Sequence, residues 1–135
     1  MLKTSCIHPE IMSALSLCGH GDKILISDGN YPLDSKSGGA KKVYLGLCPG
    51  VPEVTQVLAA LLGSAAVERA EVMLPEDGST PPIFGEFSAL LDGMELHCLG
   101  RQEFYDAASQ PAVRLAISTG EKRVFANILL TVGVA

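Results

Sequence analysis

Hydrophobic positions fall into two patterns that alternate along the chain. Short continuous apolar runs, rich in Ile, Leu and Val, are typical of strands buried on both faces. Such strands are predicted at "KILIS", "KKVYLGL", "RAEVML", "MELHCL", "AVRLAIS" and "NILLTVG", the last two separated by the turn "TGEKR". Elsewhere apolar residues recur every three or four positions, which predicts helices between the strands.

The predicted helices have recognisable boundaries. The first is expected over residues 9–18, where Pro9 suits the first turn and Gly19 suits the C-terminal cap. The others begin at Pro52 and stop at Gly63, pass through Phe87 and Leu91, and start near Arg101 to include Phe104 and Ala108. The alternation predicts an α/β fold: one domain, residues 1–135, with three α/β/α layers and a mainly parallel, mixed sheet of about six strands.

Composition adds an expectation of self-association. The 135 residues are 47% hydrophobic, with a mean hydropathy of +0.30, which is high for a soluble monomer. The apolar stretches fall short of the ~20 residues that a membrane helix needs, so we expect subunit contacts to cover this surface. With a net charge of −5 and no basic cluster larger than a pair, the chain has no footprint for nucleic acid or an acidic membrane.

The cysteines and the N-terminus favour a cytoplasmic location. Cys6, Cys18, Cys48 and Cys98 have no C-x-x-C spacing, so we expect reduced thiols that pack as small hydrophobic residues. The opening "MLKTSCIHPEIM" lacks the pattern of a signal peptide.

Several kinds of site are disfavoured. The glycines of "GHG" follow a predicted helix and precede a strand, the reverse of a dinucleotide fingerprint, and "SGGAKK" lacks the spacing of a phosphate loop. The three histidines, His8, His20 and His97, have no metal-ligand spacing, so no metal is expected. No serine lies in a nucleophile elbow.

The segment "CGHGDKILISDGNYP" concentrates the titratable groups that remain. His20 lies in a glycine-flanked connection from which its ring can face a cleft, although many such histidines are only surface residues. Asp22 is more simply explained by hydrogen bonds to the local backbone. Asp28 and Arg101 each follow a predicted strand, and ligands of open α/β sheets collect beyond the carboxyl ends of strands. These two side chains are therefore expected to meet one polar ligand.

His20 and Asp28 lie at opposite ends of the first predicted strand. Residues 23–27 in extended form span about 16 Å, at ~3.3 Å for each residue. Within one chain the two side chains are therefore too far apart for one small molecule, unless the glycine-flanked loop folds back. A site assembled between neighbouring subunits removes the difficulty.

These segments together resemble the L-fucose mutarotase and D-ribose pyranase family. The resemblance covers nearly the whole chain and rests on "MLKT", "GHGDKILISDGNYP", "GVPEVTQVL", "RQEFYDAA" and "TGEKRVFANILLTVGV". It implies an isomerase without a cofactor that interconverts the α and β anomers of a monosaccharide, or its pyranose and furanose rings. It also implies a ring-shaped homo-oligomer, expected to be a decamer, with sites at subunit interfaces.

The resemblance also assigns roles to residues. His20 matches the catalytic histidine of the family, and Asp28 matches its sugar-binding aspartate. Our own hypothesis is that Asp28 accepts hydrogen bonds from sugar hydroxyls, or else orients and polarises the imidazole. Arg101 stands where fucose-type members have arginine and ribose-type members have histidine, so L-fucose or a related sugar is the expected substrate. Phe125, Ala126 and Asn127 match a sugar-contacting tripeptide, although position 125 is usually tyrosine in the family.

The implied chemistry is acid/base opening and closing of the sugar ring. A base takes the proton of the anomeric hydroxyl while an acid protonates the ring oxygen, and an imidazole can do both near neutrality. Three alternatives stay open. The missing hydroxyl at Phe125 motivates a non-catalytic sugar-binding or sensing protein on the same scaffold, the family also includes pyranases acting on D-ribose, and a purely structural ring protein would bind no sugar.

Overall fold

The computed structural model describes residues 1–135, and all the predicted elements are present. The helices are α1 (Pro9–Leu17), α2 (Val54–Leu62), α3 (Ile83–Leu90) and α4 (Arg101–Ala108). The strands are β1 (Lys23–Ser27), β2 (Lys41–Tyr44), β3 (Val67–Met73), β4 (Leu96–Leu99), β5 (Val113–Ser118) and β6 (Ile128–Val132). They form one six-stranded sheet in the order β2-β5-β1-β6-β3-β4.

The sheet is mixed because β6 runs against its neighbours. Strands β1, β2 and β5 pair in parallel, as do β3 and β4, whereas β6 pairs antiparallel with both β1 and β3. Although β5 and β6 follow one another along the chain, β1 lies between them in the sheet. The start of β6 therefore lies beside the ends of β1 and β3, at the carboxyl edge of the sheet.

Helices cover both faces, as the alternation predicts. On one face α1, α2 and α3 pack over inward residues of the central strands, including Ile24, Ile26 and Ile128. On the other face, α4 and the loop of residues 28–40 cover a smaller apolar cluster that contains Leu25 and Leu129. The period of two along β1 and β6 divides their side chains between the two cores. The expected α/β architecture with six strands is thus confirmed.

The element boundaries differ from the predictions at several ends. Helix α2 begins at Val54 and not at Pro52, because the Pro52 carbonyl accepts from the Gly120 N–H and the Gln56 side chain accepts from the Glu53 N–H. Strand β2 ends at Tyr44 instead of continuing through residue 47. Strand β3 starts early, at Val67, because its first residues pair with β6.

The cysteines depart from one expectation. All four are free thiols, but only Cys6 is buried, whereas Cys48 and Cys98 are exposed. The prediction that the thiols pack as small hydrophobic residues is therefore wrong for these two, which lie in a loop and on the edge strand β4. None of the helices is both long and apolar enough to pass through a membrane.

The packing of α4 supports the carboxyl edge of the sheet, and it can be tested by a substitution that removes a buried ring. Phe104 on α4 is fully buried, with its ring centroid 6.0 Å from that of Tyr31. Phe104→Ala is expected to lower the free energy of unfolding by about 3–5 kcal/mol, because the lost contacts leave a void. Val134→Ala, at a side chain that is 75% exposed, is the control and should stay within about 0.5 kcal/mol of wild type in the same denaturant titration. Equal effects would show that α4 is not part of the core.

Candidate functional site

A cavity of about 300 Å³ opens at the carboxyl edge of the sheet. This volume is at the lower end of the range of about 300–1,000 Å³ that small-molecule sites occupy. Its lining residues come from the ends of β1 and β3, from α4 and from the segment before β6: Asp28, Asn30, Tyr31, Met73, Arg101, Tyr105, Val124, Phe125 and Asn127. The cavity therefore combines apolar side chains with a carboxylate, a guanidinium and two amides.

Asp28 is held in the cavity wall by backbone hydrogen bonds. Its Oδ1 accepts from the N–H groups of Asn30 and Tyr31, both at 2.9 Å, which is the local turn that aspartate favours after a strand. Its Oδ2 accepts from the Ala126 N–H at 3.2 Å. With 2% of its surface exposed, the carboxylate has a fixed orientation and presents its remaining lone pairs to the cavity.

The side chain of Asn127 makes a further hydrogen bond with Asp28, through the Asp28 backbone. Its Oδ1 accepts from the Asp28 N–H at 2.8 Å, which leaves the amide nitrogen as a donor. That nitrogen makes no hydrogen bond within the chain, and Asn127 lines the cavity. The first residue after β1 and the residue before β6 are thus joined, with a hydrogen-bond donor and an acceptor side by side.

Burial decides the charge behaviour of Asp28. Loss of hydration raises the pKa of its carboxyl above the ordinary value of 3.8, while the N–H groups of Asn30, Ala126 and Tyr31 act in the opposite direction. The nearby Glu121 carboxylate raises it further. Burial likewise raises the pKa of Tyr31, whose hydroxyl donates to the Lys36 carbonyl at 2.7 Å.

Arg101 and Phe125 form the opposite side of the cavity. The Arg101 guanidinium lies 5.9 Å from the centre of the Phe125 ring, within the range of a cation–π contact. Arg101 is exposed at the start of α4 and makes no ion pair within the chain. Tyr105 follows one helical turn later, so both side chains project from the same face of α4. The guanidinium donors are consequently available to a ligand.

The backbone at Phe125 is strained. Its φ is 58°, in the left-handed region that residues other than glycine rarely adopt. Such a conformation costs on the order of 1–3 kcal/mol and persists where its surroundings enforce it. Here the following N–H, that of Ala126, bonds Asp28. The strain therefore accompanies the contact that closes the cavity wall.

Glu121, Arg123 and Glu86 form a charged clamp beside the segment that precedes β6. The Arg123 Nε donates to Oε1 of the buried Glu121 at 3.0 Å, and Nη1 of Arg123 pairs with Glu86 on α3. Burial alone would raise the pKa of Glu121, but its hydrogen bonds from Arg123 and from the Val54 N–H hold it below the usual value. The pKa of Arg123 is raised in turn, mainly by Glu121. The clamp ties the segment before β6 to α2 and α3.

His20 lies at the other edge of the sheet. Its turn precedes β1, where the Gly19 N–H donates to Asp22 Oδ2 at 2.8 Å, the local role expected for Asp22. The Asp22 N–H donates to the Gly19 carbonyl and Gly21 has a φ of 91°, as in a type II turn. His20 is 60% exposed, and its Nε2 lies 2.9 Å from Oε2 of Glu68. It does not line the Asp28 cavity.

The structure thus separates the sequence-predicted site residues into two groups. Asp28, Arg101, Phe125 and Asn127 line one cavity. The side chain of Ala126 is buried, and its backbone supports the cavity. His20 is at the opposite end of β1, as the extended length of that strand implies.

Sequence reasoning missed other cavity residues: Asn30, Tyr31, Met73, Tyr105 and Val124. The one-turn spacing from Arg101 could have identified Tyr105, and the turn after Asp28 could have identified Asn30 and Tyr31. No local signal links Glu68 to His20, because the two are separated by 48 positions.

The structure contains no group of three or more His, Cys, Asp and Glu side chains arranged to hold a metal ion.

Two larger hollows have less suitable linings. One of about 400 Å³ lies beside Gly120 and Lys122, and the other, of about 560 Å³, lies between α1 and Arg114. In the first, the carboxylate of Glu121 is already bonded by Arg123. The charged side chains that line the second, Glu10, Lys41 and Arg114, are exposed and not fixed in a buried wall. Neither brings fixed donors and acceptors together as the Asp28 cavity does.

Fold and cavity together define an α/β protein with a small, partly polar cavity at the carboxyl edge of its sheet. The chain belongs to the RbsD / FucU transport protein family, whose model matches residues 1–135. It is 32% identical over 136 residues to the D-ribose pyranase of Variovorax paradoxus, covering 99% of this chain and 98% of the relative. The D-ribose pyranase of Paracidovorax citrulli is 31% identical, with the same coverage.

Solved structures agree in fold over the full length. Bacillus subtilis RbsD, complexed with D-ribose, is 28% identical with a TM-score of 0.87, covering 100% of this chain and 99% of its own. The fucose mutarotase of Streptococcus pneumoniae, in complex with L-fucose, is 26% identical with a TM-score of 0.85, also covering 100% and 99%. The resemblance to this family in the sequence is therefore confirmed.

The raised pKa of Asp28 predicts a pH signature in stability. The folded protein holds this proton more tightly than the unfolded chain, so the contribution of Asp28 to the free energy of unfolding falls as pH rises from the ordinary pKa of 3.8 through the higher folded value. Asp28→Asn lacks this titration. A denaturant series from below pH 3.8 to neutrality should therefore show wild type losing stability relative to the variant. A relative gain with rising pH would mean that the folded pKa is lowered instead.

Proposed function

We propose that this protein is a monosaccharide mutarotase that opens and recloses the ring of a small aldose without a cofactor. The observation that carries the proposal is the cavity in which Asp28, Arg101 and the Asn127 amide present an acceptor and donors to one small volume. Sugars carry hydroxyl groups that both donate and accept, so a fixed set of both kinds of partner suits them. The complexes of the two solved relatives with D-ribose and L-fucose support the same class of ligand.

In the proposed reaction, His20 transfers the proton. It takes the hydrogen of the anomeric hydroxyl and returns a proton to the ring oxygen as the bond from the anomeric carbon to that oxygen breaks. The aldehyde then rotates and recloses by the reverse steps, so there is no net redox change. Positioned proton transfer of this kind contributes about 10²–10⁴-fold to the rate.

The cavity side chains orient the sugar. Asp28 accepts from sugar hydroxyls, since its carboxylate is acceptor-only when ionised, while Arg101 and the Asn127 amide nitrogen donate. A sugar whose hydroxyl points the wrong way would leave Arg101, or one of the buried residues Asp28 and Asn127, without a partner. Such mismatches are costly, so the contacts select among epimers.

The proposed substrate is L-fucose or a closely related sugar. The arginine at position 101, as in the fucose-type branch, supports this choice. L-fucose carries a methyl group in place of a terminal hydroxymethyl, and Met73, Val124 and Phe125 supply apolar surface in the cavity. D-ribose is the second candidate, because relatives 32% and 31% identical are D-ribose pyranases.

The proposal requires two copies of the chain. His20 and the Asp28 cavity are at opposite edges of one sheet, so a neighbouring copy in a ring-shaped homo-oligomer, proposed to be a decamer, must bring its His20 to the cavity. Exposed apolar side chains at the carboxyl edge, among them Leu47, Val51 and Val124, provide surface for such a contact. If light scattering shows a monomer at a protein concentration at which sugar is still turned over, this arrangement is wrong.

Anomer exchange is measured most directly by saturation-difference NMR on the anomeric protons of L-fucose, with D-ribose in parallel. We expect faster transfer between the α and β signals with wild-type protein, and about 10²–10⁴-fold less catalysed exchange with His20→Ala. Exchange that survives in a folded His20→Ala protein would remove this histidine from the reaction. Sugar binding without faster exchange would favour a non-catalytic sugar-binding protein, the role that Phe125 motivates.

Mixing two inactive variants tests the shared site. His20→Ala and Asp28→Asn chains, co-expressed so that they assemble at random, should regain about a quarter of wild-type activity, since about that fraction of boundaries pairs an intact His20 with an intact Asp28. The control is a mixture of the two separately assembled variants, which should stay inactive. If co-expressed chains form mixed assemblies that remain inactive, both residues act within one chain.

A further inference from the structure

The contact between His20 and Glu68 lies outside the proton-transfer steps of the proposed reaction. His20 Nε2 lies 2.9 Å from Oε2 and 3.1 Å from Oε1 of Glu68, so one ring nitrogen faces both carboxylate oxygens. The two side chains are 60% and 46% exposed. An exposed pair of this kind contributes little to stability because water competes for both partners. The main effect of the contact is therefore on the orientation and tautomer of the His20 ring.

Three segments meet at this edge of the sheet to build the pair. The turn that carries His20 is tied to β6 by the Gly21 N–H, which donates to the Val132 carbonyl at 2.9 Å. Glu68 is the second residue of β3, whose first residue, Val67, is in register with Val132. Gly133 follows directly, and a Cβ added there would lie 3.0 Å from the Cβ of Glu68 and 3.5 Å from its Oε2. The glycine thus leaves room for the Glu68 side chain.

The nearby cations are engaged elsewhere. Arg69 Nε lies 3.1 Å from Oε1 of Glu71, and Lys23 Nζ lies 3.3 Å from the same atom. Both Arg69 and Lys23 are therefore paired with Glu71, which is buried. Glu68 makes no ion pair with lysine or arginine, and its carboxylate is left to His20 alone.

This arrangement selects one form of the neutral imidazole. An ionised carboxylate only accepts hydrogen bonds, so the ring nitrogen facing it must carry the hydrogen. Nε2 is then the donor, and Nδ1 keeps its lone pair. Nδ1 makes no hydrogen bond within the chain. A carboxylate that fixes the tautomer and orientation of a histidine in this way is a recurring device for directing proton transfer.

We propose that Glu68 is a positioning residue that holds His20 as the Nε2–H tautomer and presents Nδ1 as the proton-transfer atom. The inference rests on the proposed function. Nδ1 takes the proton of the anomeric hydroxyl, whose O–H electrons form the carbonyl, and the electron pair of the bond to the ring oxygen goes to that oxygen. The same proton then passes from Nδ1 to the ring oxygen, so opening the ring moves one proton between two atoms bound to the same carbon. No other reactant is consumed.

The tautomer is measured without any substrate, by two-dimensional ¹⁵N–¹H NMR of the His20 ring in protein labelled at histidine. In wild type at a pH where the ring is neutral, we expect the pattern of an Nε2–H imidazole. Glu68→Gln keeps the size of the side chain, but its amide both donates and accepts and so no longer enforces one tautomer. The variant should therefore show a mixture, with an unchanged midpoint of thermal unfolding.

The effect on the reaction is measured by the same anomer-exchange NMR. Glu68→Gln is expected to lower kcat by about 10-fold, at the low end of what loss of a histidine-orienting carboxylate costs, with little change in KM, because the residue does not touch the sugar. Gly133→Ala, which crowds Glu68 without removing its charge, should act in the same direction. Glu10→Gln is the matched control, since Glu10 and Lys41 form a similarly exposed pair at 3.3 Å, with 57% and 56% of the side chains exposed. It should leave both kcat and the His20 tautomer unchanged.

Each outcome decides a separate claim. A wild-type Nδ1–H tautomer, or a tautomer that Glu68→Gln does not alter, would overturn the pairing whatever the activity. The expected change in tautomer with unchanged kcat would overturn the positioning role and leave the proposed function intact. Absence of anomer exchange in wild type would overturn the proposed function and the positioning role with it, while the NMR spectrum still decides whether Glu68 sets the tautomer.

Discussion

The candidate cavity depends on the hydrogen bonds between Asp28 and the Ala126–Asn127 segment. The Asp28 N–H donates to the Asn127 side chain, and the Asp28 side chain accepts from the Ala126 N–H. These bonds join residues almost a hundred positions apart and are buried on both sides. Because a buried donor or acceptor without a partner is costly, each residue constrains the other. One contact therefore fixes the wall of the cavity and the start of β6.

The antiparallel direction of β6 explains how one short strand connects both parts of the proposed site. In an all-parallel sheet, the start of each strand would be at the amino edge. Here β6 begins beside Asp28 and ends beside the turn of His20, where Val132 accepts from Gly21. A shift in the register of β6 would therefore disturb the Asp28 cavity and the His20–Glu68 pair together. Strand β6 therefore contacts both places, although their charged side chains lie on other segments.

The sequence predicts the elements well and their assembly in part. Strand β1 and helix α4 have local signals strong enough to give their bounds correctly, since an apolar run and a helical stripe need no distant partner. The early start of β3 and the late start of α2 depend on pairing with β6 and on the loop at Gly120, which no local pattern encodes. The same holds for the site. Strand ends identify Asp28 and Arg101, whereas the partnership of Glu68 with His20 arises only when separate segments meet at one edge.

The phenylalanine at position 125 connects backbone strain with the chemistry of the cavity. Its left-handed backbone directs the next N–H to Asp28, and its ring lies beneath the Arg101 guanidinium. A tyrosine hydroxyl would add a polar group to this side of the cavity. The phenylalanine ring keeps this side apolar, so the Arg101 guanidinium is its main hydrogen-bond donor. In the proposed reaction this places sugar hydroxyls toward Asp28, Asn127 and Arg101, and an apolar sugar face against Phe125. In that proposal the ring would orient the sugar through shape and dispersion, and proton transfer would be left to a histidine from the neighbouring copy.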